Sequence, residues 1–283
     1  MNCDLHMHSI FSDGTYKPDE IISEAKRIGL GAVALTDHNT VTGLPDFIQE
    51  AERQGVIAVG GVELSTAHED IEYHLLGLFI APEHYSKVER LAKEFHVLKE
   101  ISNMETIERL NDAGYMISYA DIRKKNPIGN VNRAHMAAEL LEKGYVESVT
   151  HAFKTLLYDG AGFYVPPVRL QLMHAIAFLR EINAVPVLAH PLQDADENTI
   201  RKLLPEAVAS GLIGLETRHS SFDSVKIETA ERIAADFKLL PSGGSDFHGK
   251  TKPDISLGTG KGNLSVPMDV YYRLRDAHVA LNL

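Results

Sequence analysis

The sequence predicts an α/β fold, a β/α barrel interrupted by an inserted helical subdomain, and three observations carry that expectation. Short apolar runs alternate with amphipathic segments near the start of the chain, and the same rhythm returns in its second half. Between about residues 84 and 166 the patterning stays helical, without strands. Histidines and carboxylates stand at or near the ends of successive strand candidates, where a parallel β/α barrel builds its site. The expected division is a barrel from residues 1–83 and 167–283, with residues 84–166 inserted and covering the ligand face.

Cys3 to Met7 is the first strand candidate. Pro18 to Ile28 follows as a helix: proline suits the first helical position, Asp19 and Glu20 favour the positive end of the dipole, and Gly29 stops it. Ala32 to Leu35 is the second strand, Pro45 to Arg53 a helix, and Val56 to Leu64 the third strand. A fourth, Glu72 to Ile80, precedes Pro82. The insertion reads as helices Val88 to Leu110, Tyr119 to Lys125, Arg133 to Lys143 and Val146 to Leu157, separated by Gly114, Asn126-Pro127 and Gly144. Pro166-Pro167 marks its exit. The rhythm then resumes as a helix (Gln171 to Ile182), a strand (Val185 to Ala189), a helix (Glu197 to Ala209), a strand (Leu212 to Glu216), a helix (Ser224 to Phe237) and a strand (Lys238 to Ser242). That makes seven strand candidates, with no repeat of fixed period and no low-complexity tract.

Composition narrows the function. With 283 residues, 44% hydrophobic and 24% charged, the chain can bury a sizeable core and is too apolar for disorder. No apolar run is long enough to cross a bilayer and the N-terminus lacks a signal-peptide pattern, so a cytoplasmic protein is expected. The single cysteine, Cys3, excludes an internal disulfide and a thiolate metal cage, leaving nitrogen and oxygen ligands for any metal. A net charge of -11 argues against binding duplex nucleic acid through many phosphate contacts, while an anionic small substrate still fits a locally positive pocket. Oligomeric state is not legible in the sequence.

The fourteen histidines are the unusual feature. His6 and His8 alternate on the first strand, so both point to one face, and Ser9, Ser12, Asp13 and Gly14 set a carboxylate in the turn beside them. The second strand ends in Thr36-Asp37-His38, the third carries Glu63, and the fourth carries His74. The fifth ends in His190-Pro191, and the seventh runs into Gly243-Gly244-Ser245-Asp246-Phe247-His248. A single buried histidine or glutamate is usually structural. Nine ligand-type residues at one end of successive strands point instead to metal: His6, His8, His38, His74, His190, His248, Asp13, Glu63 and Asp246. Since one ion with a position open to water takes three or four protein groups, nine imply two or three ions with a bridging carboxylate. With no cysteine nucleophile at hand and no P-loop, hydrolysis by metal-bound hydroxide is the economical chemistry.

Five blocks, DLHMHSIFSDGT, ALTDHNTVTG, GVELS with the later HLLG, VLAHP and GGSDFHG, resemble the PHP (polymerase and histidinol phosphatase) family, nearest its stand-alone phosphoesterases with a helical insertion. The resemblance implies a distorted seven-stranded β/α barrel and a phosphatase or phosphodiesterase of nucleotide-like substrates. It implies His6, His8, Glu63 and Asp246 on a first metal, Asp13, His38 and His248 on a second, and Glu63, His74 and His190 on a third, with Asp13, Glu63, Asp246 and His248 nearest the chemistry. Manganese is the first expectation, with Fe²⁺ or Zn²⁺ also compatible with these ligands.

The phosphate needs cations. Arg133, with His135, resembles the family's Arg-x-His element, and Arg218 and His219 follow the sixth strand. All four are candidate phosphate contacts, Arg218 being a departure from the family pattern. Met136, Leu140 and Leu141 are expected in the insertion's core. Alternative activities are a 5'-to-3' exonuclease on short RNA, a phosphoribosyl cyclic phosphate hydrolase and a histidinol phosphatase. A non-catalytic structural module is the alternative from outside enzymology, and the intact ligand set speaks against it.

Overall fold

Proline, acidic side chains and glycine set the first helix, α1 (Pro18–Ile28): Glu20 Oε2 accepts the Lys17 N–H at 2.8 Å, and Gly29 ends the helix in a left-handed conformation (φ 77°). The computed structural model describes residues 1–69, 71–126, 131–158, 160–193 and 195–281. Pro127, part of a predicted helix break, lies outside them. Two compact units are present, one of Met1–Arg90 with Leu170–Leu283 and the other of Leu91–Arg169.

The first unit is a mixed sheet nearly closed into a barrel. Its strands are β1 (Cys3–Asp4), β2 (Ala32–Leu35), β3 (Ile57–His68), β4 (Ile71–Leu78), β5 (Leu170–Gln171), β6 (Val185–Leu188), β7 (Gly214–His219) and β8 (Leu240–Gly244). They run in the order β1-β2-β3-β4-β6-β7-β8, with β5 paired to β3. The circuit is drawn together where the Leu5 N–H donates to Gly243 O (3.1 Å) and the Asp246 N–H to His6 O (2.9 Å). Gly244 permits that approach, because a Cβ there would fall 2.4 Å from the His6 backbone nitrogen. Helices α2 (Leu44–Gln54), α7 (Leu172–Glu181), α8 (Glu197–Ala209), α9 (Ser224–Asp236) and α10 (Met268–Leu281) complete the unit. Leu5, Ala34, Leu76, Val187 and Leu274 meet in its apolar core.

The sheet departs from the sequence reading in three ways. β4 runs antiparallel to both β3 and β6, so the barrel is not all parallel. His74 therefore reaches the site from the N-terminal half of its strand, opposite Ser65 of β3, and not from a C-terminal end. The short strand β5 and the helix α10 were not expected; α10 buries Val270, Tyr271 and Leu274 against the core.

The second unit is helical. It holds α4 (Tyr119–Lys125), α5 (Arg133–Glu142), α6 (Val149–Thr155) and most of α3 (Tyr85–Asp112), within which the boundary between the units falls. Its core gathers Ile107, Leu110, Ile122, Met136, Leu140 and Leu157. Leu141 is 39% exposed, which corrects its expected place in that core. Among the described residues no helix is long and apolar enough to cross a membrane.

Candidate metal centre

His6 and His8 follow β1 on the face opposite Leu5 and Met7, and all four side chains are buried. The two imidazole centroids lie 5.2 Å apart. Glu63 sits inside β3, one residue-pair diagonal from His74 on the same face of the hairpin. His38 follows β2, His190 follows β6, and Asp246 and His248 follow β8. These elements deliver all nine expected ligands to one cluster.

Glu63 is its centre, and 1% of its side chain is exposed. Its Oε1 lies 2.8 Å from His74 Nδ1 and 3.1 Å from His190 Nε2. Its Oε2 lies 3.3 Å from His6 Nε2, 3.2 Å from His8 Nε2 and 3.1 Å from His38 Nδ1. Asp246 Oδ1 is 3.2 Å from His8 Nε2 and 3.3 Å from His248 Nδ1. Asp13, half exposed in its turn, is 3.2 Å from His248 Nε2.

His74 and His190 hydrogen-bond Glu63 Oε1, but the atoms gathered at Oε2 make no such bond. Glu63 Oε2, His6 Nε2, His8 Nε2, His38 Nδ1, His219 Nε2 and His248 Nε2 are buried and have no hydrogen-bond partner. Buried polar atoms without partners are costly, so a cluster of them needs an explanation. Ligand atoms about 2.1 Å from one ion stand about 3.0–3.4 Å from each other, which is the spacing around Glu63 Oε2. Imidazole and carboxylate donors fit a first-row divalent ion.

Several triads and one tetrad offer ligand atoms within 4.8 Å of one another: His8, Asp13, His38 and His248; His6, His8 and Asp246; His6, Glu63 and His190; His38, Glu63 and His74; and His6, Glu216 and His219. Glu63, His6, His8 and His38 each belong to more than one, so neighbouring ions would share ligands. The electrostatics keep the central carboxylates ionised. Burial opposes their charge, yet His38, His6 and His74 hold Glu63 well below the usual carboxylate range, and His219 and His8 do the same for Asp246. Burial pulls His74 down, and the Glu63 and Glu72 carboxylates outweigh it, lifting that imidazole to about 10. At His38 burial prevails and takes it to about 3.

The predicted phosphate contacts fare differently. His219 reaches the cluster, with Nε2 3.6 Å from Asp246 Oδ2 and Nδ1 2.8 Å from Ser221 Oγ. Arg218 does not: its Nη2 pairs with Glu231 Oε1 at 2.5 Å and its Nη1 donates to Ser265 O. The register shift between Glu216 and Arg218 accounts for this, because the bulge turns His219 to the side of Glu216 and Arg218 away from it. Arg133 and His135 lie in the helical unit. The Arg133 guanidinium stacks 4.6 Å over Tyr164 and donates to Leu157 O, while His135 Nδ1 accepts the Asn132 N–H as half of a capping box.

Four acidic or basic residues at the site had no assigned role in the sequence reading. Asp37 accepts from Ser9 N and Oγ and from Ser12 Oγ, and Asp4 from Ser245 N and Oγ and from Gly258 N. Glu216 touches His6, and Lys252 Nζ pairs with Asp246 Oδ2 at 2.7 Å. Asp4 and Asp37 stand inside two of the quoted blocks, but a carboxylate one or two residues from a histidine carries no signal that separates support from ligation. Lys252 lines a cavity of about 420 Å³ together with His38, Glu63, His74, His190 and Asp246.

Residues 4–160 match the PHP domain. The chain belongs to that family and to its metal-dependent phosphoesterases. It is 32% identical over 246 residues to a 5'-3' exoribonuclease of Haemophilus influenzae, covering 87% of this chain and 89% of that one. It is 29% identical to a 3',5'-nucleoside bisphosphate phosphatase of Chromobacterium violaceum, covering 87% of each. Among solved structures it resembles a Bifidobacterium adolescentis protein assigned to the metal-dependent phosphoesterases, with a TM-score of 0.73, 26% identity and coverage of 97% and 96%.

Proposed function

We propose that this PHP protein hydrolyses phosphate esters of small nucleotide-like molecules at the Glu63 cluster, with two or three divalent ions, manganese first and Fe²⁺ or Zn²⁺ as alternatives. The convergence of partnerless ligand atoms on Glu63 Oε2 carries the reading. Such ions supply Lewis acidity toward a phosphoryl oxygen and lower the pKa of water. Glu63 and Asp246 share the positive charge among the sites, and His6, His8, His38, His74, His190, His248 and Asp13 complete the ligand set. His219, beside Asp246 and steadied by Ser221, contacts the phosphate. In the same reading Arg133 and His135 of the insertion are phosphate contacts. The named relatives act on RNA and on nucleoside bisphosphates, and both substrates are nucleotides.

Elemental analysis, with phosphate or nucleotide release from a panel, tests this. The panel holds a nucleoside 3',5'-bisphosphate, a 5'-nucleotide, a 5'-phosphorylated RNA trimer, a phosphoribosyl cyclic phosphate and histidinol phosphate. Two or three ions per chain with turnover of the bisphosphate is the expected result. Shortening of the trimer alone would make the chain an exonuclease, the second reading, favoured by its 32% identity to the exoribonuclease. Absence of metal and of turnover on every substrate would refute both.

A further inference from the structure

Glu216 is a wholly buried carboxylate in β7. Its Oε1 lies 3.2 Å from His6 Nδ1, and its Oε2 accepts the backbone N–H of His190 at 2.7 Å. His6 and His190 come from different strands, and their rings stack with centroids 5.6 Å apart. His190 has φ 27°, a backbone conformation that a residue with a side chain rarely holds unless its surroundings fix it.

We propose that Glu216 is a positioning residue of the metal centre, fixing the tautomer of His6 and the strained turn of His190 through one carboxylate. The proposal rests on the metal reading of the Glu63 cluster. An imidazole that donates Nδ1–H to a carboxylate leaves the lone pair on Nε2, and His6 Nε2 is the atom that faces Glu63 and Asp246 without a hydrogen-bond partner. The N–H of His190 gives the second oxygen its work, so the ring of His190 is aimed at Glu63 Oε1 by a bond that its own side chain does not make. The same carboxylate has a competing role as a direct ligand, since Glu216, His6 and His219 form one of the ligand triads. Against it, binding there would use His6 Nδ1, which already faces Glu216, and would leave Nε2 stranded.

Zinc-loaded full-length protein separates the two roles. Long-range ¹H–¹⁵N correlation should show His6 protonated at Nδ1, with Nε2 shifted by the metal. Glu216→Gln keeps the size and one acceptor oxygen but turns an amide N–H toward the other donor. Equilibrium dialysis should then show zinc binding weakened roughly 10- to 100-fold, the usual cost of losing an outer-shell partner, with the number of sites unchanged at saturation. Glu216→Ala should weaken it at least as much. If the alanine protein does not fold, the glutamine variant carries the test. Unchanged affinity and an unchanged His6 tautomer in Glu216→Gln would overturn the proposal, and so would loss of one whole equivalent at saturation, which marks a ligand. Wild-type protein that binds no zinc at all would sink the metal reading itself, together with this proposal.

Discussion

Replacing Glu63 by glutamine is the most severe conservative change available at this site. One carboxylate there faces five imidazoles, with His74 and His190 hydrogen-bonded to Oε1 at 2.8 and 3.1 Å and His6, His8 and His38 converging on Oε2. Glutamine keeps the volume, removes the charge and turns an N–H toward one of these groups. Removing one partner of a buried charge pair costs about 3–5 kcal/mol, and the charge removed here is the one that five imidazoles surround. At about 1.4 kcal/mol per decade, that corresponds to metal binding weakened roughly a hundred- to a few-thousandfold. Loss of the bridging anion also leaves neighbouring cations with less charge between them. The assay is metal content after dialysis against buffered metal, read beside phosphate release, with circular dichroism to confirm the fold. Full metal content with turnover within about threefold of wild type would show that the bridge lies elsewhere.

Arg133→Ala should keep the fold and metal stoichiometry while lowering kcat/KM on phosphate esters roughly ten- to over a hundredfold, as loss of a charge-assisted hydrogen bond implies. Equal kinetics would assign its stacking on Tyr164 a purely structural purpose. Chelation should lower the melting temperature and added Mn²⁺ should restore it: metal at a hundred times Kd contributes about 2.7 kcal/mol, or roughly 5–10 °C for a domain of this size. A melting curve indifferent to chelator would contradict a native metal centre. Cys3 is wholly buried and its thiol is pushed up to about 12, first by burial and then by Asp4. It should be inert to a thiol reagent at pH 8 in the native protein and titrate as one equivalent in guanidinium. Because the folded thiol stays protonated where the unfolded one ionises, its contribution to stability is intact below pH 9.0 and declines as pH rises toward 12.

Much of the fold was legible because its signals are local. The bounds of α1, α4 and α8 coincide with the predicted helices, where caps and breakers are strong. Strand ends at the site were harder. β3 was expected to stop at Leu64 and runs on to His68, because it pairs with an antiparallel partner as far as Ile71. Strand direction is a tertiary property, and nothing in the residues Glu72 to Ile80 states it. The residues of the cluster could be picked out because histidine and glutamate are unusual in apolar strands. Arg218, expected beyond a strand that ends at Glu216, lies within β7 past a bulge, and a single extra residue between paired positions leaves no mark in the sequence.

What holds the clustered side chains in place was the least legible part. Two residues of the cluster, His190 at φ 27° and Asp246 at φ 55°, hold left-handed backbone, which is unfavourable for residues with a Cβ. Such conformations persist only where neighbouring bonds over-determine them. At Asp246 those bonds come from behind: its N–H donates to His6 O at 2.9 Å, and the preceding Ser245 gives its N–H and hydroxyl to the buried Asp4 at 2.8 and 2.6 Å. Asp37 clamps the turn after His8 in the same manner, taking Ser9 N at 2.7 Å, Ser9 Oγ at 2.6 Å and Ser12 Oγ at 2.7 Å, and so sets the loop that carries Asp13. The carboxylates of Glu63 and Asp246 thus face the centre of the cluster, while Asp4 and Asp37 hold the backbone beside it. That division gives Asp4 and Asp37, buried within the histidine motifs, a place as hydrogen-bond acceptors of the backbone and serines around the cluster. It also follows that the cluster is pre-organised by the protein, because the bonds fixing His6, His190 and Asp246 run to the chain itself.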